Sequence, residues 1–195
     1  GGQSLEGLWV QQDRGSAVIA PPHPLYGGSL EVPVVSEVAR ACQQEGLATL
    51  RFNWRGVGKS TGVPSGAEDI ADADYDAAIA FTQLRFSGPV VGCGYSFGSA
   101  AAVRAAMRTD EVNPLVLVAP PIPLLDRVAL QQYQGSVLIV VGDNDEYAPL
   151  EEIQQISREL NQGELVVLKG TDHFFMTGGL VGLGKHLREW LRRNV

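Results

Sequence analysis

Apolar residues in this chain gather into short unbroken runs that alternate with stretches of helical spacing. The runs are Ala17-Val18-Ile19-Ala20, Pro89 to Cys93, Leu115 to Ala119, Val137 to Val141 and Leu165 to Leu168, and Leu47-Ala48-Thr49-Leu50-Arg51-Phe52 also reads as a strand. The Leu115 and Val137 runs, continuous and apolar without polar alternation, mark strands covered on both faces, as in parallel sheets. Ser4 to Gln11 reads as an opening strand. Between the runs, Val35, Val38 and Cys42 give Val34 to Glu45 a helical pattern that Gly46 ends. Ser65-Gly66-Ala67-Glu68 has the form of a capping box. It predicts a long helix to about Leu84 with Ile70, Ala73, Ala77, Phe81 and Leu84 inward. Asp69, Asp72, Asp74 and Asp76 then form a solvated face near the positive helix end, not a metal site. Ser99 to Met107 is a run of helix formers. Pro149 opens a helix with Leu150, Ile153, Ile156 and Leu160 inward, and a last helix carries Leu180, Leu183, Leu187, Trp190 and Leu191. Alternating strands and helices predict one α/β domain over residues 1–195. It would be a doubly wound, mostly parallel sheet with helices on both faces.

Composition narrows the class of partner. The chain has 195 residues, of which 45% are hydrophobic and 19% charged, and a net charge of −7. That excess of acid argues against nucleic acid or an anionic membrane as a partner. No apolar run reaches the length of a membrane helix, and no basic stretch leading into an apolar one opens the chain. Cys42 and Cys93 fall in a helical pattern and a buried-strand pattern. They read as buried free thiols, which suits a cytoplasmic location. Three scattered histidines and two buried cysteines make no metal set, and no cofactor motif stands out.

Reactive groups in such sheets collect at the carboxyl ends of the strands. The Pro89 run leads into Gly94-Tyr95-Ser96-Phe97-Gly98 and then into the helix formers. A serine pinched between a buried strand and a helix sits on a strained turn that lifts its hydroxyl clear of the sheet. The helix N-terminus brings unpaired N–H groups to the place where negative charge would develop. The Val137 strand runs into Gly142-Asp143-Asn144-Asp145, and the last strand into Gly170-Thr171-Asp172-His173-Phe174-Phe175. A serine, an acid cluster and a histidine thus share one rim in the order Ser…Asp…His. His23 reads as a loop-packing residue and His186 as solvated. Gly56-Val57-Gly58-Lys59-Ser60-Thr61-Gly62 resembles the tail of a P-loop, but Asn53 stands where the first glycine belongs.

Together the His-Pro-Leu-Tyr-Gly-Gly loop (residues 23–28), Arg51-Phe52-Asn53-Trp54-Arg55-Gly56-Val57-Gly58, the Gly-Tyr-Ser-Phe-Gly elbow and the Asp172-His173-Phe174-Phe175 ending resemble compact, capless bacterial α/β-hydrolases. They are esterase- or dienelactone-hydrolase-like members of the superfamily. The resemblance runs from about Leu5 to Leu191. It implies Ser96 as nucleophile, His173 as general base and Asp145 as the acid, with Asp143 and Asp172 as rivals. It also implies oxyanion donors at Phe97 and at Leu25, with Tyr26 as the alternative to Leu25. Caps in this superfamily enter between the strand after the elbow helix and the strand bearing the acid. Only Pro120 to Gln134 lies there, enough for a loop or short helix. The Pro120–Leu125 segment, with Pro121, would wall an open apolar groove opposite Tyr26, Tyr147 and Phe174. Three functions compete: a serine hydrolase of small carboxylic esters, an acyl-thioesterase or peptidase using the same triad, and a non-catalytic binding module. The partner implied is a small-molecule ester.

Overall fold

A computed structural model describes residues 2–195. Its strands are β1 (Gly7–Val10), β2 (Gly15–Ala20), β3 (Leu47–Phe52), β4 (Val90–Tyr95), β5 (Val112–Val118), β6 (Val137–Gly142) and β7 (Gly163–Leu168). Its helices are α1 (Pro33–Gln44), α2 (Glu68–Gln83), α3 (Phe97–Arg108), α4 (Arg127–Gln132), α5 (Leu150–Glu159) and α6 (Leu180–Asn194), with 3-10 turns at Pro24–Tyr26 and Ile122–Leu124. The seven strands lie in the order β1-β3-β2-β4-β5-β6-β7. Only β1 pairs antiparallel, to β3; every other pairing is parallel.

The core forms two layers, one on each face of the sheet. Val18 and Ala20 of β2 face a layer closed by α2, α3, α4 and α5, while Ala17 and Ile19 face a layer closed by α1 and α6. Two-sided burial explains why the central strands carry no polar alternation. Cys42 and Cys93 are free and buried in the second layer. The neighbouring Cys42 thiol and burial both push the Cys93 thiol upward, so it stays protonated. Among the described residues no helix is long and apolar enough to cross a membrane.

Three expectations about the second helix fail. Its buried face is Ala71, Asp74, Tyr75, Ala78, Ile79 and Thr82, and Leu84 is 83% exposed. The polar members are buried because each has a partner. The Tyr75 hydroxyl donates to Cys93 O at 3.2 Å, the Thr82 hydroxyl donates to Ala78 O at 3.0 Å, and Asp74 accepts three N–H bonds from Arg55. Asp74 therefore belongs to a buried ion pair rather than to a solvated face. The capping box does not form either. Ser65 Oγ accepts from Ala67 N at 3.1 Å in a local turn, and the helix starts at Glu68 without a side-chain cap.

Candidate active site

The elbow places Ser96 at φ 53°, ψ −120°, between the end of β4 and the first turn of α3. Positive φ strains a residue with a Cβ, and such strain persists only where the surroundings enforce it. Here they do. Ser96 N–H donates to Val118 O at 2.9 Å. The buried Ser99 hydroxyl reaches both Gly94 O (2.8 Å) and Val118 O (3.1 Å), stitching the helix start to β4 and β5. The two flanking glycines are sterically required. A Cβ on Gly94 would lie 2.1 Å from Gly98 O, and one on Gly98 would lie 2.4 Å from Ala20 O.

Three side chains named from the sequence meet in one line. Ser96 Oγ lies 2.9 Å from His173 Nε2, and His173 Nδ1 lies 2.9 Å from each oxygen of Asp145. Asp145 Oδ1 also accepts the N–H groups of Tyr147 and Ala148, both at 2.9 Å, and its side chain is fully enclosed. Four acceptor contacts on a carboxylate without water access fix its orientation. The rivals are engaged elsewhere. Asp143 Oδ1 accepts from Gly170 N and Asp172 Oδ1 from Met176 N. The buried Tyr95 hydroxyl donates to His173 O at 2.8 Å, so the strand that presents Ser96 also anchors the backbone of the histidine. Burial raises that phenol's pKa, with Asp145 and Asp172 adding to the effect, and the donor stays in place.

The amides named as oxyanion donors stand in different states. Phe97 N–H opens α3 and donates to no protein group among the described residues. Leu25 N–H donates to the ring Nδ1 of His23 at 3.2 Å, and the alternative, Tyr26 N–H, donates to His23 O at 3.1 Å. The loop itself hangs on Trp54, whose indole N–H is shared by Pro21 O and Pro22 O at 3.1 and 3.0 Å. Ser99, Tyr95 and Trp54 were not singled out in the sequence; each lies inside or beside a motif that was.

Comparison with known proteins fits this geometry. Residues 27–136 match the Hydrolase_4 family, described as serine aminopeptidase S33. The uncharacterised protein RP471 of Rickettsia prowazekii (strain Madrid E) is 30% identical over 191 residues, spanning 88% of this chain and 77% of its own length. An α/β serine hydrolase homologue from Coxiella burnetii has a structure that covers 96% of this chain and 91% of its own. Its TM-score is 0.85 and its identity 33%. This chain belongs to the Hydrolase_4 family of α/β-hydrolases.

A second similar structure, XC6422 from Xanthomonas campestris, is described as an α/β serine hydrolase without lid. It is 28% identical with a TM-score of 0.85, covering 97% of this chain and 88% of its own. The present hydrolase has the same lidless fold, with only the Ile122–Leu124 turn and α4 between β5 and β6. Leu25, Tyr26, Tyr147 and Phe174 are exposed, and the rings of Tyr147 and Phe174 pack on His173 at 4.7 and 5.4 Å between centroids. Pro121, expected to wall an open groove, is buried, and its carbonyl accepts Leu124 N–H at 3.0 Å in the 3-10 turn. The P-loop-like turn is filled from within the chain: Glu6 accepts from Lys59 N and from Asn53 Nδ2, both at 2.8 Å. Those bonds, led by the Lys59 amide, hold the Glu6 carboxyl below its usual range. His186 lies on the exposed side of α6, 3.8 Å from Glu189.

Proposed function

We propose that this hydrolase cleaves small carboxylic esters through Ser96, His173 and Asp145. One observation carries the reading: the unbroken line of contacts from Ser96 Oγ through both ring nitrogens of His173 to an enclosed carboxylate. A serine hydroxyl is a weak nucleophile until a neutral imidazole takes its proton. In the proposed reaction Nε2 takes that proton as Oγ bonds to the ester carbonyl carbon. The Phe97 and Leu25 amides stabilise the oxyanion, each worth roughly 3–4 kcal/mol where such donors have been removed. The tetrahedral intermediate collapses, the C–O bond to the alcohol breaks, and the alcohol leaves with the proton from Nε2. Water, activated by the same nitrogen, then releases the acid from the acyl-enzyme. Asp145 holds the tautomer with the proton on Nδ1 and stabilises the imidazolium.

The exposed aromatic rim of Tyr26, Tyr147 and Phe174 supports a small soluble ester as substrate rather than a lipid that must be enclosed. The two buried free thiols suit a cytoplasmic enzyme, and the net charge of −7 argues against nucleic acid or an anionic membrane as partner. A panel of short p-nitrophenyl esters, acyl-thioesters and aminoacyl anilides tests the reading. Saturable turnover of the esters above the other two classes is expected, lost in Ser96→Ala. Preference for the thioesters or anilides would move the substrate class, and no turnover of any would leave a binding module.

A further inference from the structure

His23 is the acceptor at the centre of the loop before α1. Its carbonyl takes the N–H groups of Tyr26 and Gly28, both at 3.1 Å, and its ring Nδ1 takes Leu25 N–H at 3.2 Å. An imidazole that accepts at Nδ1 is neutral and carries its proton on Nε2. The ring is walled in. Its centroid lies 4.6 Å from that of Tyr26 and 4.7 Å from that of Phe97, and a Cβ on Gly66 would sit 2.5 Å from Nε2. Phe97 is also the residue whose N–H is the other candidate donor. One imidazole therefore touches the residues bearing both amides.

We propose that His23 is a positioning residue of the oxyanion hole: its neutral ring holds Leu25 N–H ready, and protonation of the ring takes that donor out of place. The inference rests on the ester-hydrolase reading of Ser96. The 3.2 Å bond is long for N–H···N, so a developing oxyanion, a charged acceptor, wins the amide from it. When Nδ1 gains a proton, two donors face each other across that distance. Phe97 and Gly66 back the ring on its inner sides while exposed Tyr26 covers the outer one, so either the Leu25 peptide shifts or the ring turns outward, and in both cases the amide loses the acceptor that holds it. Tyr26 on its own turn, Phe97 of α3 and Gly66 of the loop before α2 are the groups that wall the ring. The Tyr26 phenol is the only titratable one, and among the described residues no carboxylate or cation lies within ion-pair distance of His23. Burial lowers the pKa of His23, which keeps the ring neutral at pH 7 and puts the switch on the acid side.

The experiment compares kcat and KM of wild type, His23→Asn and His23→Leu on a short p-nitrophenyl ester across the acid limb, with thermal melts as a check on folding. Asparagine offers Oδ1 to the amide two residues on, as His23 Nδ1 does, and does not titrate. His23→Leu is expected to lose about tenfold or more in kcat with KM within about threefold, the pattern of a donor lost in the transition state. His23→Asn should recover part of that loss. In wild type the slope of log(kcat/KM) against pH should steepen from one toward two at the acid end, because two imidazoles must be neutral; in His23→Asn it should stay at one. Equal slopes in wild type and His23→Asn, or activity that rises as the ring is protonated, would overturn the proposal. So would equal losses in the two variants. If His23→Leu fails to fold, the slope comparison still decides. Labelling of wild-type Ser96 by a fluorophosphonate, carried to completion at pH 7 where the His23 ring is neutral, reads the nucleophile itself, so its failure would mark the nucleophile reading as the one at fault.

Discussion

Replacing Asp145 by asparagine changes one atom and should nearly abolish turnover. The carboxylate only accepts: Oδ1 takes Tyr147 N–H and Ala148 N–H at 2.9 Å each, and both oxygens lie 2.9 Å from His173 Nδ1. In Asp145→Asn the amide oxygen must stay with the two backbone N–H groups, since turning the NH2 toward them would leave three donors facing one another in an enclosed site. The NH2 then faces His173 Nδ1 as a donor. The ring must accept there, so its proton moves to Nε2, which faces Ser96 as a donor and cannot take the serine proton. A triad held in the wrong tautomer loses about 10⁴ in kcat, equivalent to about 5.5 kcal/mol of barrier. KM should change little, because no substrate contact is lost. Asp143 is the internal control. Its one bond, from Gly170 N, can be kept by the oxygen of an asparagine, so Asp143→Asn should cost less than about tenfold. Initial rates on a short p-nitrophenyl ester, with circular dichroism to verify folding, give both numbers. If Asp143→Asn were the more damaging, or Asp145→Asn kept a tenth of the activity, the assignment of the acid would be refuted.

Other perturbations test the scaffold. Gly98→Ala places a Cβ 2.4 Å from Ala20 O and should cost more than about 3 kcal/mol or prevent folding. Gly27→Ala, with φ 80° and nothing within 4 Å, should cost only about 1–2 kcal/mol in denaturant unfolding. Asp74→Ala strands Arg55, whose side chain is 22% exposed; after allowing for that exposure the loss should be about 2–3 kcal/mol, read as a melting point lower by roughly 5–10 °C. Burial raises the pKa values of the phenols of Tyr75, Tyr95 and Tyr133. Raised groups leave stability whole below the unfolded-state value, about 10 for tyrosine, and withdraw it as pH climbs above. The raised Cys93 thiol acts the same way from about 8.5, its unfolded-state value, so denaturant midpoints should begin to fall above about pH 8.5 and fall steeply by pH 11; a flat profile would contradict the burial of these groups.

What could be read in advance follows the physics that a one-dimensional pattern carries. Strands buried on both faces leave continuous apolar runs, so β2, β5, β6 and the elbow strand are legible, and with them the rim where Ser96, Asp145 and His173 meet. The inward face of α2 was not. Hydropathy ranks Asp74 and Thr82 as outward and Leu84 as inward, but burial of a polar group is decided by its partner. Arg55, 19 residues earlier in the chain, makes Asp74 a core residue. Ser65 had the spacing of a helix cap, yet a hydroxyl can close a local turn with the same chemistry. Leu25 follows the His-Pro pair, and its place in the loop is legible. That its amide is already held by the ring two residues back depends on a rotamer of His23, which no spacing encodes.

The most direct measurement is the intact mass, followed by peptide mapping, of the purified protein after reaction with a fluorophosphonate probe. An activated serine should give one adduct per chain, mapped to the peptide holding Ser96, formed quickly in wild type, far more slowly in Asp145→Asn and not in Ser96→Ala. An unmodified wild-type protein, or an adduct on any residue other than Ser96, would contradict the hydrolase mechanism proposed for this site.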